Sequence, residues 1–134
     1  MTKILLVEDS RFLRLATERA LAHAGYEVSS AGDGEEALRV ARIKPPDVIL
    51  LDMLLPKMSG LDVLKELKRD SVTRPIPVIV VTGMAQKNAE RLIHDGAAGF
   101  LEKTGLDLHN GPDRLLKGLR EILRTLPARE VVKP

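Results

Sequence analysis

Three carboxylates stand where chemistry would need them. The apolar run Ile4-Leu5-Leu6-Val7 ends in Glu8-Asp9, and the run Val48-Ile49-Leu50-Leu51 ends in Asp52, followed by Met53-Leu54-Leu55-Pro56. An unbroken stretch of β-branched residues and leucine reads as a strand buried on both faces of a parallel sheet. The carboxylates then sit at the C-terminal mouths of two strands, the edge at which open α/β sheets bind their ligands. Anions gathered there repel one another unless a cation lies among them, and all-oxygen donors suit a hard divalent ion, with magnesium the expected metal. Two plainer readings remain open. Glu8-Asp9-Ser10 also fits a helix N-terminus, with acids facing the positive end of the dipole, and Asp52 fits an aspartate that caps a turn.

Two further strand ends deliver polar groups. Val78-Ile79-Val80-Val81 ends in Thr82-Gly83, a hydroxyl beside a residue that leaves space for an incoming group. Phe100-Leu101 is followed by Glu102-Lys103, and a lysine there can extend towards the carboxylates as a fixed positive charge. Taken singly, a Thr-Gly pair and one lysine are equally compatible with an ordinary solvated surface.

These residues need a scaffold, and the chain supplies one by alternating apolar strand-like runs with amphipathic stretches about five times, the pattern of a doubly wound parallel sheet. Strands are expected at Lys3 to Val7, Glu27 to Ala31, Asp47 to Leu51, Pro77 to Thr82 and Gly99 to Glu102. Helices are expected at Ser10 to Ala24, stopping at Gly25, at Gly34 to Ile43, at Gly60 to Arg69, at about Lys87 to His94 and at about Pro112 to Leu126. Neither a sequence repeat nor a low-complexity segment appears.

Composition narrows the class. The chain has 134 residues, 44% of them hydrophobic, which suits one globular domain over residues 1–126, with 127–134 as a tail or the start of a linker. It contains no cysteine, so neither disulfides nor thiolate chemistry enter. The N-terminal apolar run is too short for a signal peptide or a membrane span, and a cytoplasmic protein without membrane association is expected. The formal charge of +2 is interspersed and aromatics make up only 2%, which argues against direct nucleic-acid binding.

Together these residues resemble the receiver domain of bacterial response regulators, the phospho-acceptor module of two-component signalling, over nearly the whole chain. In that resemblance Glu8-Asp9 is the acidic pair, Asp52 the phosphorylated aspartate, Thr82 the switch hydroxyl, Phe100 the switch aromatic and Lys103 the essential lysine, while Pro56-Lys57-Met58-Ser59-Gly60 matches the Pro-x-Met-x-Gly loop. The resemblance implies a flavodoxin-like α/β fold with a five-stranded parallel sheet in order 2-1-3-4-5. It also implies Mg²⁺ held by Asp9, Asp52 and the backbone carbonyl of Leu54, with Glu8 acting directly or through water. A histidine kinase or phosphotransfer protein would donate the phosphoryl group to Asp52. Lys103 and Thr82 would bind its oxygens, and withdrawal of Thr82 would free space for Phe100, changing a surface that a protein partner reads. Such a chain is a signalling phospho-acceptor that assists its own phosphorylation and dephosphorylation, not an enzyme.

Some residues depart from the family pattern. Thr104 stands where receivers usually carry proline after the lysine; a trans bond is the default here, because a non-proline cis bond costs roughly 2.5–4 kcal/mol. Phe100 lacks the hydroxyl of the common tyrosine alternative. Leu54 and Met84 flank the site as apolar residues, for which slow self-dephosphorylation is expected. The link from Thr104 to Gly111, with Asp107, His109 and Asn110, is long enough to touch a partner, although His109 reads equally as a solvated loop residue. Dimerisation through the last two elements stays open. Other readings are a phosphorylation-independent interaction module and a magnesium-dependent phosphatase with an aspartyl nucleophile. The phosphatase reading is weakened by Leu54, which stands where dehalogenase-like enzymes carry a second aspartate. A flavodoxin-like cofactor binder would want a hydroxyl- and glycine-rich phosphate loop where Glu8-Asp9 would repel the ligand.

Overall fold

In the computed structural model of the chain, residues 2–53, 55–82, 89–102 and 111–126 are described. Five strands, β1 (Lys3–Val7), β2 (Glu27–Ala31), β3 (Val48–Asp52), β4 (Val78–Thr82) and β5 (Gly99–Glu102), form one parallel sheet in the order β2-β1-β3-β4-β5. Five helices connect or follow them: α1 (Arg11–His23), α2 (Gly34–Ile43), α3 (Gly60–Arg69), α4 (Ala89–His94) and α5 (Gly111–Thr125). The expected fold class and strand order are those observed.

Strand side chains alternate between faces, so the continuous apolar runs build two cores. Ile4, Leu6, Val48, Leu50 and Ile79 pack with Leu21 of α1 and Leu119 of α5. On the other face Leu5, Val7, Ile49, Leu51, Val78 and Val80 pack with Ala37 and Ala41 of α2, Val63, Leu64 and Leu67 of α3 and Leu92 of α4. Each fully buried Leu, Ile or Val contributes about 1.5–3 kcal/mol, and these layers fix where the strand ends lie.

Helix starts follow local chemistry. Ser10, Asp33 and Ser59 are N-caps whose side-chain oxygens accept from the N–H groups of Leu13, Glu36 and Asp62 at 3.3, 2.8 and 3.2 Å. Glu36 completes a variant capping box by accepting from the Gly32 N–H at 2.9 Å. At the other end of α1, Gly25 takes φ +101°, the left-handed conformation that lets the chain turn out of the helix.

Element bounds differ from expectation by one residue at several ends. Ser10 and Ala24 flank α1 as caps. Asp47 precedes β3 and accepts from the Lys3 N–H at 2.7 Å, while Asp52 is the last strand residue, opposite Val81. Pro77 has no N–H for the ladder and lies outside β4, yet its carbonyl accepts from the Ile49 N–H at 3.0 Å. The proposed start of α4 at Lys87 and the tail at 127–134 lie outside the described residues.

The C-terminus of α3 is closed by side chains from the turn that follows. Thr73 Oγ1 donates to the Leu67 carbonyl at 2.7 Å and Arg74 Nε to the Lys68 carbonyl at 3.0 Å. In return Lys68 Nζ donates to the carbonyls of Arg74 and Ile76 at 3.1 and 2.8 Å. Burial lowers the Lys68 pKa from the ordinary lysine value. The unfolded chain therefore holds this proton more tightly, so this group makes stability rise with pH through the window between its lowered folded value and the ordinary one. Lys68→Met is expected to lose about 1 kcal/mol in urea unfolding at pH 7, by leaving two carbonyls without their donor, and to flatten that alkaline rise.

Candidate functional site

The strand order brings the acidic ends together. β1 lies between β2 and β3, with Val7 opposite both Ala31 and Leu51, so Glu8 and Asp52 leave the sheet from adjacent mouths. One carboxylate oxygen from each of Glu8, Asp9 and Asp52 lies within 4.8 Å of the others. Glu8 is 7% and Asp52 5% exposed, whereas Asp9 is exposed. Carboxylates are seldom buried, and the buried polar or charged residues among those described are Glu8, Asp52 and Thr73, so two of the three meet here. Three hard oxygen donors, two of them sheltered and one open to solvent, fit a small divalent cation that keeps positions for water or a phosphoryl oxygen.

Glu8 is held by local structure. The Glu8 N–H donates to the Ala31 carbonyl at 3.0 Å, extending the β1–β2 ladder by one residue. Its Oε2 accepts from the Ser10 N–H at 3.1 Å. The helix-start reading of Glu8-Asp9-Ser10 and the metal reading are thus compatible: Ser10 caps α1 while the two acids face the pocket.

The loop after β3 is shaped by small residues. Gly60 donates its N–H to the Met53 carbonyl at 3.1 Å, and a Cβ there would lie 2.6 Å from both the Asp52 carbonyl oxygen and Met53 Cα. At Gly34 a Cβ would meet Val63 Cγ2 at 2.6 Å and Met58 Cβ at 3.2 Å, so the first turn of α2 seats the Met58 side chain. Between them the Met58 N–H donates to the Pro56 carbonyl at 2.6 Å across Lys57, whose φ of +67° is uncommon for a residue with a Cβ.

Phe100 is half-buried, opposite Val80 in the β4–β5 ladder, and packs against the core on the α2–α4 face. Thr82 ends β4 beside Glu102, at the same edge of the sheet as the acidic pocket. The side chain of Thr82, and all of Leu54, Gly83, Met84, Lys103, Thr104 and the 105–110 link, lie outside the described residues. Arg14 carried no motif signal; only the fold shows it donating to the Glu8 carbonyl.

Comparisons with known proteins agree with this geometry. Residues 4–110 match the response regulator receiver domain family. The polar-differentiation response regulator DivK of Brucella ovis is 44% identical over 105 residues, 77% of this chain and 85% of that protein. Among solved structures, chemotaxis response regulator CheY4 of Vibrio cholerae aligns with a TM-score of 0.81 at 33% identity, covering 91% of this chain and 98% of that one. The signal receiver domain of a putative Luxo repressor protein from Vibrio parahaemolyticus gives 0.78 at 31% identity, covering 92% and 90%. With the family match spanning most of the chain and the fold and acidic edge in agreement, the chain belongs to the response regulator receiver domain family.

Proposed function

We propose that this chain accepts a phosphoryl group on Asp52 in a Mg²⁺-dependent reaction and signals the change to a protein partner. The observation that carries the reading is the buried Asp52 carboxylate with the oxygens of Glu8 and Asp9 within 4.8 Å. Asp9 and Asp52, with Glu8 directly or through water and the Leu54 carbonyl, would hold the ion; when bound it neutralises charge between the carboxylates and the incoming phosphoryl group. An Asp52 oxygen attacks phosphorus as the bond to the donor's imidazole nitrogen breaks, and the bonding pair leaves on that nitrogen. Such a transfer needs little beyond alignment and charge stabilisation, which suits a site built from strand ends on a rigid sheet. Lys103 and the Thr82 hydroxyl are the groups assigned to the phosphoryl oxygens.

The switch in this reading is packing-based. Phe100 has no hydroxyl, so its two positions would differ in burial, biased by where Thr82 is drawn on phosphorylation. The chain is then a cytoplasmic phospho-acceptor that assists its own turnover, slowly where Leu54 and Met84 keep the rim apolar. The test is intact-mass measurement after incubation with acetyl phosphate. Gain of one phosphoryl group with Mg²⁺, and none when the ion is chelated, is the expected result. No gain where another receiver is labelled would sink the reading.

A histidine kinase or phosphotransfer protein must reach Asp52 from the carboxyl edge. Beside that edge, the first two turns of α1 expose Phe12 at 67% and Leu15 at 42%, apolar surface that a donor protein can cover. Phe12 is mostly exposed, so Phe12→Ala should leave stability within about 0.5 kcal/mol. The rate of transfer from a protein donor relative to labelling by acetyl phosphate should fall about tenfold, the loss of roughly 1.4 kcal/mol of docking. An unchanged ratio would exclude this face from the encounter.

A further inference from the structure

Arg14 lies on the second turn of α1 and is half-buried beside the acidic pocket. Its Nη1 donates to the backbone carbonyl of Glu8 at 2.9 Å. Glu8 is also held by main-chain groups, its N–H on the Ala31 carbonyl and its Oε2 on the Ser10 N–H. The guanidinium is thus a side-chain clamp on a residue whose carboxylate belongs to the acidic cluster. Guanidinium presents its donors on a planar fork, so the clamp has a defined direction.

Gly32 supplies the room for it. A Cβ at position 32 would lie 3.0 Å from Arg14 Nη1. The φ of Gly32 is outside the left-handed region, where Gly25 and Gly96 are found, so a left-handed backbone is not what calls for glycine here. What a side chain would meet is the guanidinium itself. Arg14 of α1, Gly32 of the β2–α2 turn and Glu8 at the end of β1 thus form one contact set drawn from three elements.

We propose that Arg14 is a positioning residue for the divalent-cation site, acting through the Glu8 backbone, and that Gly32 is small in order to admit its guanidinium. The proposal rests on the reading of the acidic pocket as a Mg²⁺ site. Removing partners of metal ligands typically costs tenfold or more in affinity; here the loss would act through the Glu8 main chain, from which the carboxylate projects.

The test is Mg²⁺ titration followed by amide NMR shifts, with urea unfolding measured on the same samples, for wild type, Arg14→Met, Arg14→Lys and Gly32→Val. Arg14→Met is expected to raise the Mg²⁺ dissociation constant about tenfold. Gly32→Val keeps the arginine but displaces it, and is expected to weaken Mg²⁺ in the same direction. Arg14→Lys should recover part of the affinity, since an ammonium can still donate to one carbonyl. A dissociation constant within twofold of wild type in Gly32→Val, with the protein folded, overturns the proposal whether or not Arg14→Met folds. So does weakening that scales only with lost urea stability across the series. Wild type that binds no Mg²⁺ refutes the metal-site reading itself, and this proposal with it. Wild-type binding that the variants leave intact refutes the clamp alone.

Discussion

Asp52→Asn is expected to abolish phosphorylation by acetyl phosphate at every Mg²⁺ concentration. Asparagine has nearly the same shape, so the β3 register and the core around Leu50 and Leu51 should survive. What is lost is the anionic oxygen: an amide is too poor a nucleophile towards phosphorus to form the acyl phosphate. Asp9→Asn provides the contrast. It leaves the nucleophile in place and removes an exposed donor, so labelling should slow by at least about tenfold at limiting Mg²⁺ and recover partly at high Mg²⁺, because a weakened site can still be filled by mass action. Intact-mass time courses over a Mg²⁺ series separate the two. Recovery of labelling in Asp52→Asn would place the phosphoryl group on another residue.

Gly60→Ala should combine a loss of stability with a misplaced Asp52. As the first residue of α3, alanine gains roughly 0.5–1 kcal/mol over glycine from its reduced freedom in the unfolded chain. Against this, the new Cβ would sit 2.6 Å from the Asp52 carbonyl oxygen and from Met53 Cα. Both are main-chain atoms and no rotamer change relieves the overlap, so overpacking of about 1–3 kcal/mol outweighs the gain. A net loss of about 1–2 kcal/mol in urea unfolding, with acetyl phosphate labelling slowed about tenfold, is the expected outcome. Gly25→Ala is the control. A Cβ there has nothing within 4 Å, and its cost is only the roughly 1–2 kcal/mol of a left-handed φ, far from the pocket. Its labelling rate should match wild type, and a Gly60→Ala rate that also matched would mean the β3–α3 loop absorbs the added methyl without moving Asp52.

Much of the scaffold is legible because its signals are local. The strand runs at Ile4 to Val7 and Val48 to Leu51 are apolar at every position, the pattern of a sheet covered on both faces, and both proved buried on both faces. Caps are local too: Ser10, Asp33 and Ser59 each bond an N–H three residues on, so their types at those places mark helix starts. The errors lie where a single residue is ambiguous by type. Asp47 reads as strand from its place before Val48 and is instead the strand's lead-in, its side chain accepting from the Lys3 N–H and its own N–H donating to the Lys3 carbonyl, 44 residues away.

The carboxylates at strand ends, the hydroxyl and lysine that follow in order, and the receiver family were determined by the sequence alone, since they depend on residue type and spacing along one chain. Tertiary structure decided which of those groups meet. Placing β1 between β2 and β3 makes Glu8, Asp9 and Asp52 one pocket, which no periodicity encodes because the neighbours are non-consecutive strands paired by long-range packing. It also gave two residues their physical roles: Gly60 leaves space against the main chain of Asp52, and Arg14 reaches back to Glu8 over a glycine from a third element. Such contacts join atoms that are distant in sequence and close only once the two cores have formed, so the chemistry can be read from one chain and its precision only from the fold.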